Sequence, residues 1–378
     1  MKKSLLNYTK EQIEEYEKEL KLVGSLSNLF SDNSAPLIYY RATENIYSRA
    51  FSAKNVSRAD CTADAIFKCE TGVGIKTFLY KPTGQFQKIA EFNKQASLYK
   101  ELKGLDLIKK ISELRNERIQ FTMRNYGLKN MIYHCITRGE DGILRIFEEP
   151  LNMVDINNLK IISSTPNKYE FTDGIEKYEF YFSKSTLFKY FDNTDFFLSF
   201  KVDVFSDPID VLLKLMASPS IKELPSKINV NHYPSLIVPL YSESKKLGRF
   251  VATKSGLNQW NAGGRKRKEN EVYIPYPLKL REESKGFFPP RKNPWDLHLP
   301  NGHTITMTVC QQDGKALMSN PNKDLGQWLL RDVLKLKPGT LVTYDYLLSI
   351  GIDSVIFRKH PDGTYDCDFI DQNDFEDA

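Results

Sequence analysis

The chain is poor in the features that mark secreted, metal-stapled or membrane-spanning proteins. Its cysteines, Cys61, Cys69, Cys135, Cys310 and Cys367, are odd in number, and no two have zinc-ligand spacing. That excludes a disulfide framework and a structural zinc site, and implies a reduced, cytoplasmic protein. The histidines are scattered, with no His-x-x-x-His pair. The residues after Met1 lack the apolar core of a signal peptide. No run approaches the roughly 18 apolar residues that a membrane span needs. Internal repeats and low-complexity tracts are missing too.

What is present suits a globular chain with a substantial core: 41% hydrophobic and 27% charged residues. At 378 residues, two domains are expected. The boundary is set by Ala217-Ser-Pro-Ser-Ile-Lys-Glu-Leu-Pro-Ser226, whose prolines and serines interrupt both helix and strand. The expected division is a mixed α/β domain at 1–216, a linker at 217–234 and a mainly β domain at 235–378.

In the N-terminal half, Thr9 to Leu22 reads as a helix with Thr9 and Gln12 as a capping box. Leu37 to Phe51 reads as a second helix and carries Glu44. Ala63 to Cys69 is expected to be a strand containing Asp64, Gly72 a turn, and Val73 to Tyr80 a strand containing Lys76. An Asp on one strand and a Lys on the next resembles the core of PD-(D/E)XK nucleases. The resemblance implies carboxylates that hold Mg at the scissile phosphate and a Lys that orients water or stabilises developing charge. The chain departs from that pattern at Gly74, where the motif has its second acid. Glu44, or Glu91 after the hairpin, is the candidate replacement. Glu91 to Arg124 reads as one or two surface helices. Met131 to Leu151 reads as strands, with His134 a structural residue and Glu148 and Glu149 solvated. Tyr169 to Phe182 reads as a hairpin that turns at Asp173-Gly174.

The C-terminal half is organised around Lys254-Ser-Gly-Leu-Asn-Gln-Trp-Asn-Ala-Gly-Gly-Arg-Lys-Arg-Lys-Glu-Asn-Glu-Val-Tyr-Ile-Pro275. Arg265 to Lys268 can neutralise phosphates. Asn258, Gln259 and Asn261 carry amides able to pair with base edges. A solvated basic loop would look similar, and local charge separates the two. Residues 254–292 hold ten cations against four anions, while the whole chain nets only +5. The positive charge is concentrated here, as on a nucleic-acid-binding face. Glu271 to Pro275 reads as a short strand closing this stretch. Beyond it come a strand at Gly302–Cys310, an amide-rich loop at Gln311–Trp328, a helix at Asp324–Leu334, and strands at Ser354–Lys359 and Tyr365–Ile370.

Four blocks carry a second resemblance: Ser255–Arg265, Glu271–Pro275, Lys315–Gly326 and Ile350-Gly-Ile-Asp-Ser-Val355. Together, over roughly 235–370, they resemble the C-terminal domain of type II restriction endonucleases of the NgoFVII kind, a DNA-binding pseudobarrel similar to plant B3 domains. The resemblance implies two arms, at about 255–273 and 311–324, that clasp the major groove of double-stranded DNA. By position it implies DNA contacts at Asn258, Gln259, Trp260, Asn261, Arg265 and Arg267. On the second arm it implies Gln311, Lys315, Ser319, Asn320, Asn322 and Lys323. Several enzymes with this domain cut with a phospholipase-D-type module, which needs His-x-Lys. None of His134, His232, His298, His303 and His360 has Lys two positions on, so that chemistry is excluded. The expected function is a Mg-dependent, site-specific deoxyribonuclease. The resemblance further implies a homodimer and a cognate DNA methyltransferase. The competing expectation, from Gly74, is a non-catalytic specificity subunit; a third is dependence on modified bases.

Overall fold

The computed structural model describes residues 3–57, 61–217 and 233–371. Most of the expected 217–234 linker, at 218–232, lies outside the described residues. Two units emerge: Met1–Arg58 with Thr62–Asn116 and Leu128–Val230, and Ala59–Cys61 with Glu117–Gly127 and Asn231–Ala378. Among the described residues no helix is long and apolar enough to cross a membrane.

The N-terminal unit is mixed α/β. Helix α1 (Lys10–Ser25) starts at the Thr9/Gln12 capping box, and α2 is Tyr40–Ala50. Strands β1 (Lys54–Asn55), β2 (Ala65–Phe67), β3 (Thr71–Leu79) and β4 (Gln85–Glu91) follow, then α3 (Gly104–Tyr126). Next come β5 (Asn130–Arg138), β6 (Ile143–Pro150), β7 (Lys160–Ser164), β8 (Lys168–Thr172), β9 (Lys177–Tyr181), β10 (Thr186–Phe191) and β11 (Leu198–Lys201), then α4 (Pro208–Met216). The main sheet runs β1-β2-β3-β5-β6-β11. Only β3 and β5 in it pair in parallel, from Thr71↔Asn130 to Leu79↔Arg138. A parallel pair needs a crossover, and α3 lies in that connection. The second sheet is antiparallel, β4-β10-β9-β8-β7.

Strand periodicity decides which side chains meet. Val73 and Ile75 of β3, with Ile132 and Ile136 of β5, form one core with Tyr16, Leu20, Ile46, Tyr47 and Phe51 from α1 and α2. Ile108, Ile111 and Leu114 of α3 form another with Phe171, Phe180 and Leu187 of the second sheet. Three expectations change here. Gly72 lies within β3, and the turn is made by Lys68 and Cys69 at positive φ. Gly72 is needed for space, because a Cβ would come within 2.8 Å of Leu128 Cδ1. The stretch 91–124 holds a strand end, a 3₁₀ turn and one helix, and that helix is buried along one side instead of lying on the surface. Glu148 and Glu149 are not solvated. Glu148 is 2% exposed and Glu149 accepts from Lys189 Nζ at 2.5 Å.

The C-terminal unit is mainly β. Its strands are β12 (Ser235–Pro239), β13 (Ser242–Ser244), β14 (Gly248–Phe250), β15 (Ile274–Pro275), β16 (Pro294–His298), β17 (Thr304–Cys310), β18 (Ala316–Ser319), β19 (Ser354–Lys359) and β20 (Tyr365–Ile370). Seven of them form one sheet, β12-β19-β20-β16-β17-β18-β15, whose end strands β12 and β15 approach each other. The sheet curls into a nearly closed pseudobarrel. In β16, Trp295 and Leu297 point inward while Pro294, Asp296 and His298 are exposed, the alternation of a half-buried strand. The barrel core joins them to Met307, Val309, Leu317, Phe357 and Tyr365. Helical residues Leu329, Leu330 and Val333 and helix Tyr344–Ile350 close it. The expected strand at 271–275 shrinks to Ile274–Pro275, because only those residues pair with β18.

Candidate functional site

Two groupings of polar side chains merit description, one in each unit. The first surrounds Asp64, which immediately precedes β2. Its backbone N–H donates to Val73 O (2.8 Å), which fixes it opposite β3. Its Oδ2 accepts from Ile75 N at 2.6 Å, so the carboxylate reaches across to the neighbouring strand. Lys76 follows Ile75, and its ammonium acts electrostatically on Asp64. The Lys76 side chain is half-buried and makes no hydrogen bond or ion pair among the described residues. Burial pushes the Asp64 carboxyl up, opposed by Lys76, the Ile75 N–H and Arg41.

Glu44 on α2 completes the grouping. It is buried and paired with Arg41 Nη1 at 3.2 Å, and the same nitrogen donates to Ser57 Oγ (3.1 Å). Its carboxyl is also raised, first by burial and then by the charge of Asp64. Asp64 thus has two separate neighbours, Lys76 on β3 and Glu44 on α2. Glu91 is engaged elsewhere: it ends β4 on the second sheet, and its carboxylate accepts from Lys88 and Asn93. No three His, Cys, Asp or Glu side chains form a metal-binding group among the described residues. Two raised, mutually repelling carboxylates do fit Mg, which is often held by one or two carboxylates and otherwise by water and phosphate.

At Gly74 a side chain would meet close neighbours. A Cβ there would sit 3.3 Å from Tyr133 Cδ1 and 3.5 Å from Leu151 Cδ1. The Tyr133 hydroxyl accepts from Arg115 Nη2 at 2.7 Å. Arg115 is 3% exposed, and its Nε has no partner. Sequence reading missed this arginine. The available signal was a cation at helical spacing from Ile108 and Ile111 on the buried stripe of α3. His134 lies on the other face of the sheet, buried between Glu148 Oε1 and the Tyr16 hydroxyl, each 2.9 Å away. Tyr8 and Ser4 also donate to Glu148, in a closed internal network.

The second grouping is the cationic stretch of the C-terminal unit. Asn258 is a correction. It is 0% exposed, and its Nδ2 donates to Ala252 O (3.0 Å) and Val342 O (2.9 Å) while its Oδ1 accepts from Val342 N (2.9 Å). Its amide is spent on holding the 3₁₀ turn Gly256–Asn261 to the barrel, so it cannot also read a base. Gln259 and Trp260 are half-buried; Gln259 Oε1 and Trp260 Nε1 lack partners. Asn261 is exposed and donates to Thr253 O at 3.0 Å. Arg265 is exposed but forks onto Glu271, with Nη2 to Oε2 at 2.6 Å. Arg267 turns back onto its own loop, donating to Ala262 O (2.6 Å) and Gly263 O (2.8 Å). Between and beside them, the exposed Lys266 and Lys268 side chains make no hydrogen bond or ion pair.

On the second arm, Gln311 is half-buried at φ 65°, and Lys315, Asn320, Asn322 and Lys323 are exposed. Ser319 is the other correction. It ends β18 at 2% exposure, donates to Pro321 O (2.9 Å) and accepts from Leu325 N (2.8 Å), so its hydroxyl shapes the arm from inside.

With this geometry in view, the family comparison is specific. Residues 238–361 match the family model of the NgoFVII C-terminal B3-like DNA-binding domain. The match covers about a third of the chain and lies within the C-terminal unit, whose barrel is of that kind. Double-stranded DNA is the partner that this domain supports. Comparison with curated proteins gives no match.

Proposed function

We propose that the chain is a Mg-dependent, site-specific type II restriction endonuclease. In this reading the C-terminal unit selects a short duplex sequence, and the Asp64 grouping hydrolyses a phosphodiester bond. The observation that carries it is Asp64, held against β3 beside Lys76 and acting on Glu44 of α2, in a chain with a B3-like DNA-binding domain. Asp64 and Glu44 would hold the metal. Magnesium there supplies Lewis-acid stabilisation of the charge developing on phosphate. The Lys76 ammonium, without an ion-pair partner among the described residues, would orient the attacking water or steady that charge. The Ile75 N–H holds the Asp64 carboxylate in place beside it. One such site cuts one strand, so a homodimer is part of the proposal, as is a methyltransferase that protects host DNA.

One observation favours a second reading, a specificity subunit without nuclease activity: position 74 carries no acid, and a Cβ there would press on Tyr133. The discriminating experiment incubates the full chain with unmethylated phage DNA, with and without Mg, beside Lys76→Ala. Discrete Mg-dependent fragments that vanish in the variant are expected. Well-folded protein that retards DNA yet yields no fragments with any divalent metal would replace the nuclease reading with the subunit reading.

A further inference from the structure

The cationic loop needs a fixed base if its lysines are to meet DNA in register with the second arm. Its base is Glu269–Asn270, and a helical segment of the barrel grips it. Asp324–Gly326 continues directly into the π-helical Gln327–Val333. This uncommon winding often marks functional sites. From it Arg331 spreads its whole guanidinium. Nε donates to Asn270 Oδ1 (2.8 Å), Nη2 to Glu269 O (2.9 Å) and Nη1 to Leu336 O (2.8 Å). Asn270 Nδ2 donates in turn to Gln327 Oε1 at 3.0 Å. Gly326 permits the approach, since a Cβ there would lie 2.1 Å from Asn270 O, a backbone atom that cannot swing aside.

The same segment is the end of the second arm. Asn320, Asn322 and Lys323 lead into Asp324, and Ser319 Oγ ties the arm back to Leu325 N. The root of one arm is therefore docked on the exit of the other. From this we infer that Arg331, Asn270 and Gly326 form a latch that sets the spacing of the two arms. Arg331 is then a positioning residue for sequence selection that touches no DNA itself. The inference rests on the DNA-binding reading of the C-terminal unit.

A planar guanidinium with three separately aimed donors is not replaceable by an ammonium. Arg331→Ala and Arg331→Lys should both release the arm, and Asn270→Ala should do so with the cation retained. Backbone hydrogen exchange reads the latch without DNA. Amides of 262–270 should exchange about tenfold faster or more in each variant, as expected for loss of charge-assisted bonds, while β17 stays unchanged. Selection from a random duplex pool then gives the preferred sequence of the wild type. On that sequence the ratio of specific to non-specific affinity should fall about tenfold or more, with the salt slope unaltered. Unchanged exchange at 262–270 would overturn the latch. Full rescue by Arg331→Lys would do the same, as would a salt slope lowered by about one unit, which marks a phosphate contact. If Arg331→Ala does not fold, Asn270→Ala decides. If the wild type prefers no sequence, the DNA-reading function fails, while the exchange comparison still decides the latch.

Discussion

The Asp64 grouping and the cationic arm use charge in opposite ways. Around Asp64 the charges are drawn inward: burial raises Asp64, burial and the charge of Asp64 raise Glu44, and the nearby Lys76 ammonium makes no ion pair among the described residues. Along the arm the arginines that looked most available are tied up, Arg265 by Glu271 and Arg267 by carbonyls of its own loop. In the interior grouping Arg41 pairs Glu44 but Lys76 has no ion-pair partner among the described residues, whereas the arginines of the exposed arm are matched. Availability for a ligand therefore follows from the hydrogen bonds a side chain already makes, more than from its type or exposure.

The contrast can be broken most sharply from the interior side. Asp64→Asn or Lys76→Ala should lower cleavage on the order of a thousandfold, the scale of losing a metal ligand or a charge-stabilising group, with DNA retardation preserved. Glu44→Gln should lower it by about a hundredfold, while Glu91→Gln leaves it within about twofold. Cleavage timed on a supercoiled plasmid separates these, and loss with Glu91→Gln but not Glu44→Gln would reverse the assignment. On the arm side, Asn258→Ala should cost about 3 kcal/mol, because it removes three bonds and strands the Val342 N–H and C=O. Urea unfolding followed by tryptophan fluorescence measures it selectively, since Trp260, Trp295 and Trp328 all lie in the C-terminal unit. The smallest effect is in the salt slope of DNA binding. Lys266→Ala with Lys268→Ala should flatten it by about two units if each meets a phosphate, and Arg265→Ala with Arg267→Ala by less. Equal slopes for the two pairs would mean that DNA displaces the internal partners of the arginines.

Much of this was legible in residue order. Alternation located β5 and β17, strand-like runs located β3, β19 and β20, and the Thr9/Gln12 box located the start of α1. Local chemistry also located the cationic arm. What failed was any judgement that needed a partner distant in sequence. Asn258 looks like a base-reading amide until Val342 closes on it. Ser319 looks like a loop hydroxyl until its strand is paired with Met307. Glu148 and Glu149 look solvated until His134 and Lys189 appear opposite them. Gly72 looked like a turn glycine because tight packing against Leu128 leaves no local trace. In each case a long-range contact consumed a group whose sequence neighbours gave no warning.

The packing at Gly74 also shapes which mutational routes are open to this chain. A carboxylate introduced there alone would press on the Tyr133 ring, a strained step. Trimming Tyr133 alone would remove a bond from a buried guanidinium that already has one idle nitrogen, also a losing step. Made together, the two changes would place a new anion beside Arg115 in the vacated room, and each loss would offset the other. Substitutions at 74 and 133 should therefore be non-additive, the double change costing less than the sum of the single ones.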